Sequence, residues 1–186
     1  VMARRQRQMC IRDRFITYNG HAFDEELVRR QFFWNLLEPY TTNTNGNGRL
    51  DLMLMIHNIA AFFSDEISMP LFEGGPGISY KLEHLAIEHG IDAGDAHDAI
   101  ADCNLMIEMC RIIKERLPKV FQSFINISTK PGVKELLFSE DFLALGEIHR
   151  RHTFRYPVVM CGGDASRPNE IAVSYTHLTL PTSHHV

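Results

Sequence analysis

Two short stretches carry the side chains best suited to chemistry: Asn19-Gly-His-Ala-Phe-Asp24 and His97-Asp-Ala-Ile-Ala-Asp102. A carboxylate just beyond a strand can meet another from a facing helix, and hard divalent ions such as Mg²⁺ take oxygen ligands in a near-octahedral shell. Asp24 and Asp102 are the candidate metal ligands. Two-metal phosphoryl chemistry also needs a base to deprotonate the attacking water. His97 suits that role, because it precedes the helix expected to contain Asp102. Five helical residues would point the two side chains about 140° apart, whereas a histidine in the preceding loop can reach the same point. The plainer reading is that Asp24 is a helix-start acid and that Asp98 and Asp102 form a solvated i, i+4 face.

These residues need elements to hold them. Phe15 to Tyr18 is β-rich and ends in Asn19-Gly20, the pattern of a strand entering a turn. Asp24, Glu25 and Glu26 open an expected amphipathic helix whose apolar face is Leu27, Phe32, Phe33, Leu36 and Leu37, with Pro39 ending it. After a polar loop, Arg49 to Leu52 reads as a short strand and Met53 to Phe63 as a buried helix. The Gly/Pro-rich stretch from Pro70 to Gly77 lacks a following Gly-Lys-Ser/Thr and reads as a surface loop. A short helix is expected over Lys81 to His89, stopped by Gly90. A long one is expected over Ala99 to Leu117, with Ile100, Cys103, Met106, Ile107, Cys110 and Ile113 inward and Pro118 closing it. Phe121 to Ile125 and Val133 to Phe138 give short helical pieces, and His149 to Val173 is β-rich.

The 186 residues suffice for one domain, or one domain and the beginning of a second, and 45% hydrophobic residues can fill a core. Net charge is −4, so no global positive field announces a nucleic-acid partner. The four cysteines form no CxxC pair, which favours a reducing, cytoplasmic setting. No run approaches a membrane span. Residues 1–14, with five arginines, and residues 174–186, with no charged side chain, resemble translated adapter sequence. A basic nucleic-acid-binding arm is the alternative for the first. Without these ends, 14 basic residues face 22 acidic ones, a net charge of −8.

Longer words surround the two stretches: YNGHAFDEELVRRQFFWNLLEPY, NGNGRLDLM, KLEHLAIEHGI and AHDAIADCNLMIEMCRIIKERLP. In order and spacing they resemble the exodeoxyribonuclease I family of DnaQ-like, DEDDh exonucleases. The resemblance implies an α/β, ribonuclease-H-like fold that removes nucleotides from the 3′ end of single-stranded DNA with two Mg²⁺ ions. It implies Asp24 as the second-motif aspartate, His97 as general base and Asp102 as the last metal-binding aspartate. Tyr18 and Asn19, bordering that site, are the expected substrate contacts.

The family's first motif, an Asp-x-Glu on the opening strand, has no counterpart here. The expectation is therefore a partial exonuclease domain over 15–126 that lacks its opening strands and is inactive alone. A linker with a short helix follows over 127–148, then the start of a Src-homology-like barrel over 149–173. Single-stranded DNA, and through it a single-strand-binding protein, are the expected partners of a monomeric protein off the membrane. A non-catalytic nucleic-acid-binding or partner-docking module and a proofreading or RNA-trimming exonuclease are the alternatives.

Weaker features receive structural readings. His84 with His89, and His149 with His152, lack the context of a zinc enzyme. Cys103 and Cys110 read as core residues, and Phe32, Phe33 and Trp34 as packing rather than base-stacking. Lys81, Arg29 and Arg30 read either as phosphate contacts or as solvated charges.

Overall fold

The computed structural model describes residues 13–93, 98–149, 152–163, 166–167 and 170–175. His97 lies outside these described residues, as do the first twelve and last eleven positions. The expected strand–turn–helix opening is present. Strand β1 (Arg14–Thr17) pairs in parallel with β2 (Gly48–Asp51), Ile16 standing opposite Leu50 and Thr17 opposite Asp51. A parallel pair needs a crossover connection, and this one contains helix α1 (Asp24–Trp34).

Helix α1 begins on Asp24, Glu25 and Glu26, acids that favour the positive end of the helix dipole. It differs from expectation at its far end and on its apolar side. No residue of α1 is buried, and Leu27, Phe33 and Trp34 are exposed. The helix stops at Trp34 rather than at Pro39 because the chain closes on itself. The Leu36 N–H donates to the Phe33 carbonyl (3.1 Å) and the Leu37 N–H to the Phe32 carbonyl (2.8 Å), with Leu36 in the left-handed conformation at φ 55°. That is a Schellman closure with leucine at the position glycine favours. Leu36 is consequently 95% exposed instead of lying on a packed face.

The core is organised by α2 (Leu52–Phe62), whose Leu52, Met55, Ile56, Ile59, Ala60 and Ala61 are buried. A helix this apolar all round belongs inside. Around it lie α3 (Leu82–Glu88), stopped by left-handed Gly90, and α4 (Ala99–Arg116), capped by the Asp98 carboxylate. Helix α4 buries Leu105, Met109 and Ile113. The stripe expected inward is only partly so: Ile100 and Ile107 are exposed, as is Cys103, while Met106 and Cys110 are half-buried. Apolar residues cover more of α4 than its neighbours among the described residues can cover. Burial nevertheless pushes the Cys110 thiol up to about 11.

Pro118 both ends α4 and opens α5 (Pro118–Asn126) at the helix position proline tolerates. Helix α6 (Lys130–Ser139) follows, its N-terminus held by the Thr129 hydroxyl accepting from Gly132 N–H. An antiparallel sheet in the order β3 (Leu143–His149), β4 (His152–Gly163), β5 (Ile171–Tyr175) completes the chain. Its first strand begins six residues before the β-rich pattern at His149. The sheet docks on α2 through Gly146, whose N–H donates to the Asn58 side chain (3.0 Å). A Cβ at Gly146 would stand 2.6 Å from that of Ala61, so only glycine allows this approach.

Candidate functional site

The turn between β1 and α1 is held by a residue that sequence reasoning did not single out. Asp51 ends β2, is 3% exposed, and accepts three backbone N–H groups: Asn19 (2.8 Å), His21 (3.1 Å) and Met53 (3.0 Å). A buried carboxylate is tolerable only with such satisfaction. The sequence signal was an aspartate directly before an apolar helical run, the N-cap pattern. One side chain thus caps α2 and ties down the turn that delivers Asp24.

Glu25 supplies a second clamp. Its carboxylate pairs with Arg49 of β2 and lies 3.2 Å from His21 Nε2. Asn19, exposed, takes the left-handed conformation at φ 60° that asparagine tolerates. Asp24 is exposed at the first position of α1, and no hydrogen bond or ion pair among the described residues engages its carboxylate.

Asp102 lies in the first turn of α4. It borders a cavity of about 370 Å³ with Tyr18, Lys81, Glu83 and Met106. The structure therefore brings Tyr18 and Asp102 together, while Asp24 does not line that cavity. Tyr18 is not a free contact group: its hydroxyl donates to the Tyr80 carbonyl. Burial above all, then the Asp51 charge and Tyr80, raise its pKa. Lys81 faces this cavity and also pairs with Glu83 (3.3 Å), whereas Arg29 and Arg30 are both engaged by Glu26.

Beneath the turn, His57 stacks edge-on against Tyr80 at 4.5 Å. Burial lowers its pKa, with the Asp51 charge opposing. Three other described histidines have neighbours within the fold. His84 Nδ1 is 2.8 Å from the Ser79 hydroxyl, and His149 and His152 face each other at the β3–β4 turn.

Mg²⁺ does not find a complete site in these residues. Among the described residues no three His, Cys, Asp or Glu side chains are grouped so as to hold a metal ion. Asp24 and Asp102 are carboxylates at the starts of two different helices, and among the described residues neither belongs to such a group.

Comparison with known proteins decides the family. No family model matches the chain. Exodeoxyribonuclease I of Haemophilus influenzae is 35% identical over 121 residues, covering 64% of this chain and 25% of the relative. That of Escherichia coli K12 is 36% identical over 122 residues, with the same coverage. The matched two thirds of the chain belongs to the exodeoxyribonuclease I family.

Solved structures agree on the fold. The exonuclease I of Methylocaldum szegediense aligns over 92% of this chain and 38% of its own, at 28% identity and a TM-score of 0.70. E. coli exonuclease I in complex with a dT13 oligonucleotide aligns over 84% and 35%, at 25% identity and 0.68. A complex of exonuclease I with SSB-Ct aligns equally widely, at 25% and 0.66. The chain spans about a quarter of the length of the curated exodeoxyribonuclease I relatives it matches.

Proposed function

We propose that this chain is part of a Mg²⁺-dependent exonuclease that removes mononucleotides from the 3′ end of single-stranded DNA in repair or recombination. The observation that carries this reading is the homology to exodeoxyribonuclease I together with the placement of Asp24 at the start of α1 and Asp102 in the first turn of α4. In this reading Asp24 and Asp102 are two of the carboxylates that hold the ions, and His97 takes the proton from water. Tyr18 and Asn19 flank the substrate. Asp51 and Glu25 act on none of these species. They fix the turn from which Asp24 projects.

The donor set is incomplete within the described residues, so we propose that the 186-residue chain is inactive by itself. The missing Asp-x-Glu pair would come from strands preceding β1 in the longer protein. Two features support that. Strand β1 has a strand partner on one edge only among the described residues. Beside it, Ile16, Met106, Ile107, Cys110 and Phe121 line an apolar groove of about 420 Å³. We take β3–β5 as the start of the family's second, Src-homology-like domain. A single-strand-binding protein is the proposed partner of a monomeric, cytoplasmic enzyme, supported by the solved SSB-Ct complex of exonuclease I. Among the described residues no helix is long and apolar enough to cross a membrane.

The test is a 5′-labelled single strand incubated with the purified chain and Mg²⁺. No release of mononucleotides is expected from this chain, and release is expected from the same chain extended upstream through an Asp-x-Glu strand. Release by the 186-residue chain that Asp102→Ala abolishes would overturn its inactivity. An extended chain that cleaves nothing would overturn the exonuclease reading.

A further inference from the structure

Asn-Gly occurs three times in the sequence, at Asn19-Gly20, Asn45-Gly46 and Asn47-Gly48. Such a pair carries its own reaction. Glycine has no Cβ, so its backbone nitrogen can approach the side-chain carbonyl of the asparagine before it. Attack forms a bond from that nitrogen to Cγ and breaks the Cγ–Nδ2 bond, and ammonia leaves carrying the proton of the glycine amide. Water then adds across one of the two carbonyl–nitrogen bonds of the cyclic imide, giving aspartate or isoaspartate. Solvent water is the only co-reactant. The attack needs a glycine N–H that can lose its proton and an asparagine side chain that can swing over it.

The fold treats the three pairs differently. At Asn47 both reacting groups are held: Oδ1 accepts the Asp13 N–H (3.0 Å), Nδ2 donates to the Thr41 carbonyl (2.8 Å), and the N–H of buried Gly48 donates to the Asp13 carbonyl (2.9 Å). At Asn19 the side chain is exposed but the peptide is fixed. Its N–H donates to buried Asp51 (2.8 Å) and its carbonyl accepts from Ala22 (3.3 Å). Gly20 is buried, its carbonyl accepting from Phe23 (3.2 Å) and Glu25 (3.0 Å). Asn45 and Gly46 are both exposed. They take φ 57° and 83° between the Thr44 carbonyl and the Asn47 N–H that donates to it (3.0 Å), the pattern of a type I′ turn. Among the described residues no hydrogen bond engages the Asn45 side chain or the Gly46 N–H. Only the turn bond and an exposed contact from Arg14 Nη1 to the Gly46 carbonyl (3.2 Å) resist opening there. Local opening costs least where the fewest bonds must break.

We propose that Asn45 is a site of spontaneous deamidation, the one of the three pairs that converts while the protein stays folded. Isoaspartate there routes the main chain through the former side chain. That lengthens a turn closed by a single bond from Asn47 to Thr44, and it sets a carboxylate where a neutral amide stood. The turn also delivers Asn47 and Gly48, which between them hold the N–H and carbonyl of Asp13 at the entry to β1. Conversion therefore loosens the end of the β1–β2 pair where Arg14 stands opposite Gly48. The inference needs neither metal nor nucleic acid, so it stands apart from the exonuclease reading.

The experiment incubates the full chain at mildly alkaline pH, folded and in parallel unfolded in urea. Proteolysis and tandem mass spectrometry then read, at each asparagine, the mass gain of an amide exchanged for an acid. In the folded chain Asn45 is expected to convert about tenfold or more faster than Asn19 and Asn47. In urea all three are expected to convert at similar rates, because the sequence alone makes them alike. The Asn45 rate is expected to rise with pH, since the attacking nitrogen must shed its proton. Asn45→Gly, which keeps the left-handed turn, is expected to abolish the early conversion and to leave the circular dichroism unchanged. In the converted wild type the Gly48 amide is expected to exchange its hydrogen faster. Three results overturn the proposal: an Asn45 that lasts as long as Asn19 and Asn47 in the folded chain, either of those two converting first, or the same order of rates in urea. A converted chain whose Gly48 amide exchanges as slowly as before overturns the loosening of β1.

Discussion

Helix α4 presents two apolar stripes of similar composition that meet different fates. Leu105, Met109 and Ile113 are at most 4% exposed, packed with Leu50, Ile56 and Leu85 in the core. Cys103, Met106, Ile107 and Cys110, a fraction of a turn away, line an open groove beside β1, with Ile107 49% exposed. The same contrast runs through the molecule. Strand β2 has β1 on one edge and donates its Arg49 N–H to the Ser128 carbonyl on the other, whereas among the described residues β1 pairs with β2 alone. Burial is a property of a pair of surfaces, so an apolar stripe in a sequence states a demand without naming what meets it.

The largest expected effect sharpens this contrast directly. Met109→Ala, at a fully buried position, is expected to cost about 2–5 kcal/mol, as truncations that leave a core cavity do. Ile107→Ala, on the same helix but half exposed, is expected to cost about 0.5 kcal/mol or less. Urea unfolding of both variants measures the difference. Equal losses would show that the groove face is covered in solution and would break the comparison.

How much was legible follows from the same physics. The strand β1, the buried helix α2 and the start of α4 were readable because each shows its signal locally: β-rich residues before Asn-Gly, an apolar run interrupted only by His57 and Asn58, and a stretch of helical period from Ala99. The buried side of α4 was not readable, since Cys103, Ile107 and Cys110 satisfy helical periodicity as well as Leu105, Met109 and Ile113 do. Only the neighbours select between them. The face of α1 failed likewise, Phe33, Trp34 and Leu36 being apolar but exposed. At the candidate site, the words around Asp24 and Asp102 were long enough to show the family. Asp51 stayed hidden, because a carboxylate that accepts three backbone N–H groups from two segments looks in sequence like any aspartate between leucines.

An intermediate effect concerns the covered side alone. Burial lowers the pKa of His57, against the opposing Asp51 charge, and of His89, with Arg116 adding to the lowering. Below the ordinary value of 6.5 the unfolded chain therefore binds more protons at these positions than the folded one. Stability rises with pH in that window. It is present above 6.5 and is lost as pH falls from there through the folded values. Thermal unfolding of the wild type is expected to shift to lower temperature between neutral pH and pH 5, and His57→Gln to flatten that dependence. A profile that the substitution leaves unchanged would place His57 in contact with water and weaken the distinction between the covered and open sides.

The smallest effect probes the open side. Leu36 holds φ 55° at the closing position of the α1 Schellman turn while 95% exposed. A leucine there bears the left-handed strain that glycine escapes and, with so little of its surface covered, recovers little by packing. Leu36→Gly trades that strain against glycine's greater freedom in the unfolded chain, two terms of opposite sign and similar size. The strain is the larger, and a net gain of about 0.5 kcal/mol is expected, read as a rise in the urea midpoint at unchanged slope. A loss of stability instead would mean that Leu36 is packed in solution, as the helical pattern of the sequence suggested. The apolar end of α1 would then belong with the covered side of the molecule, and the boundary between the two sides would run along α4 alone.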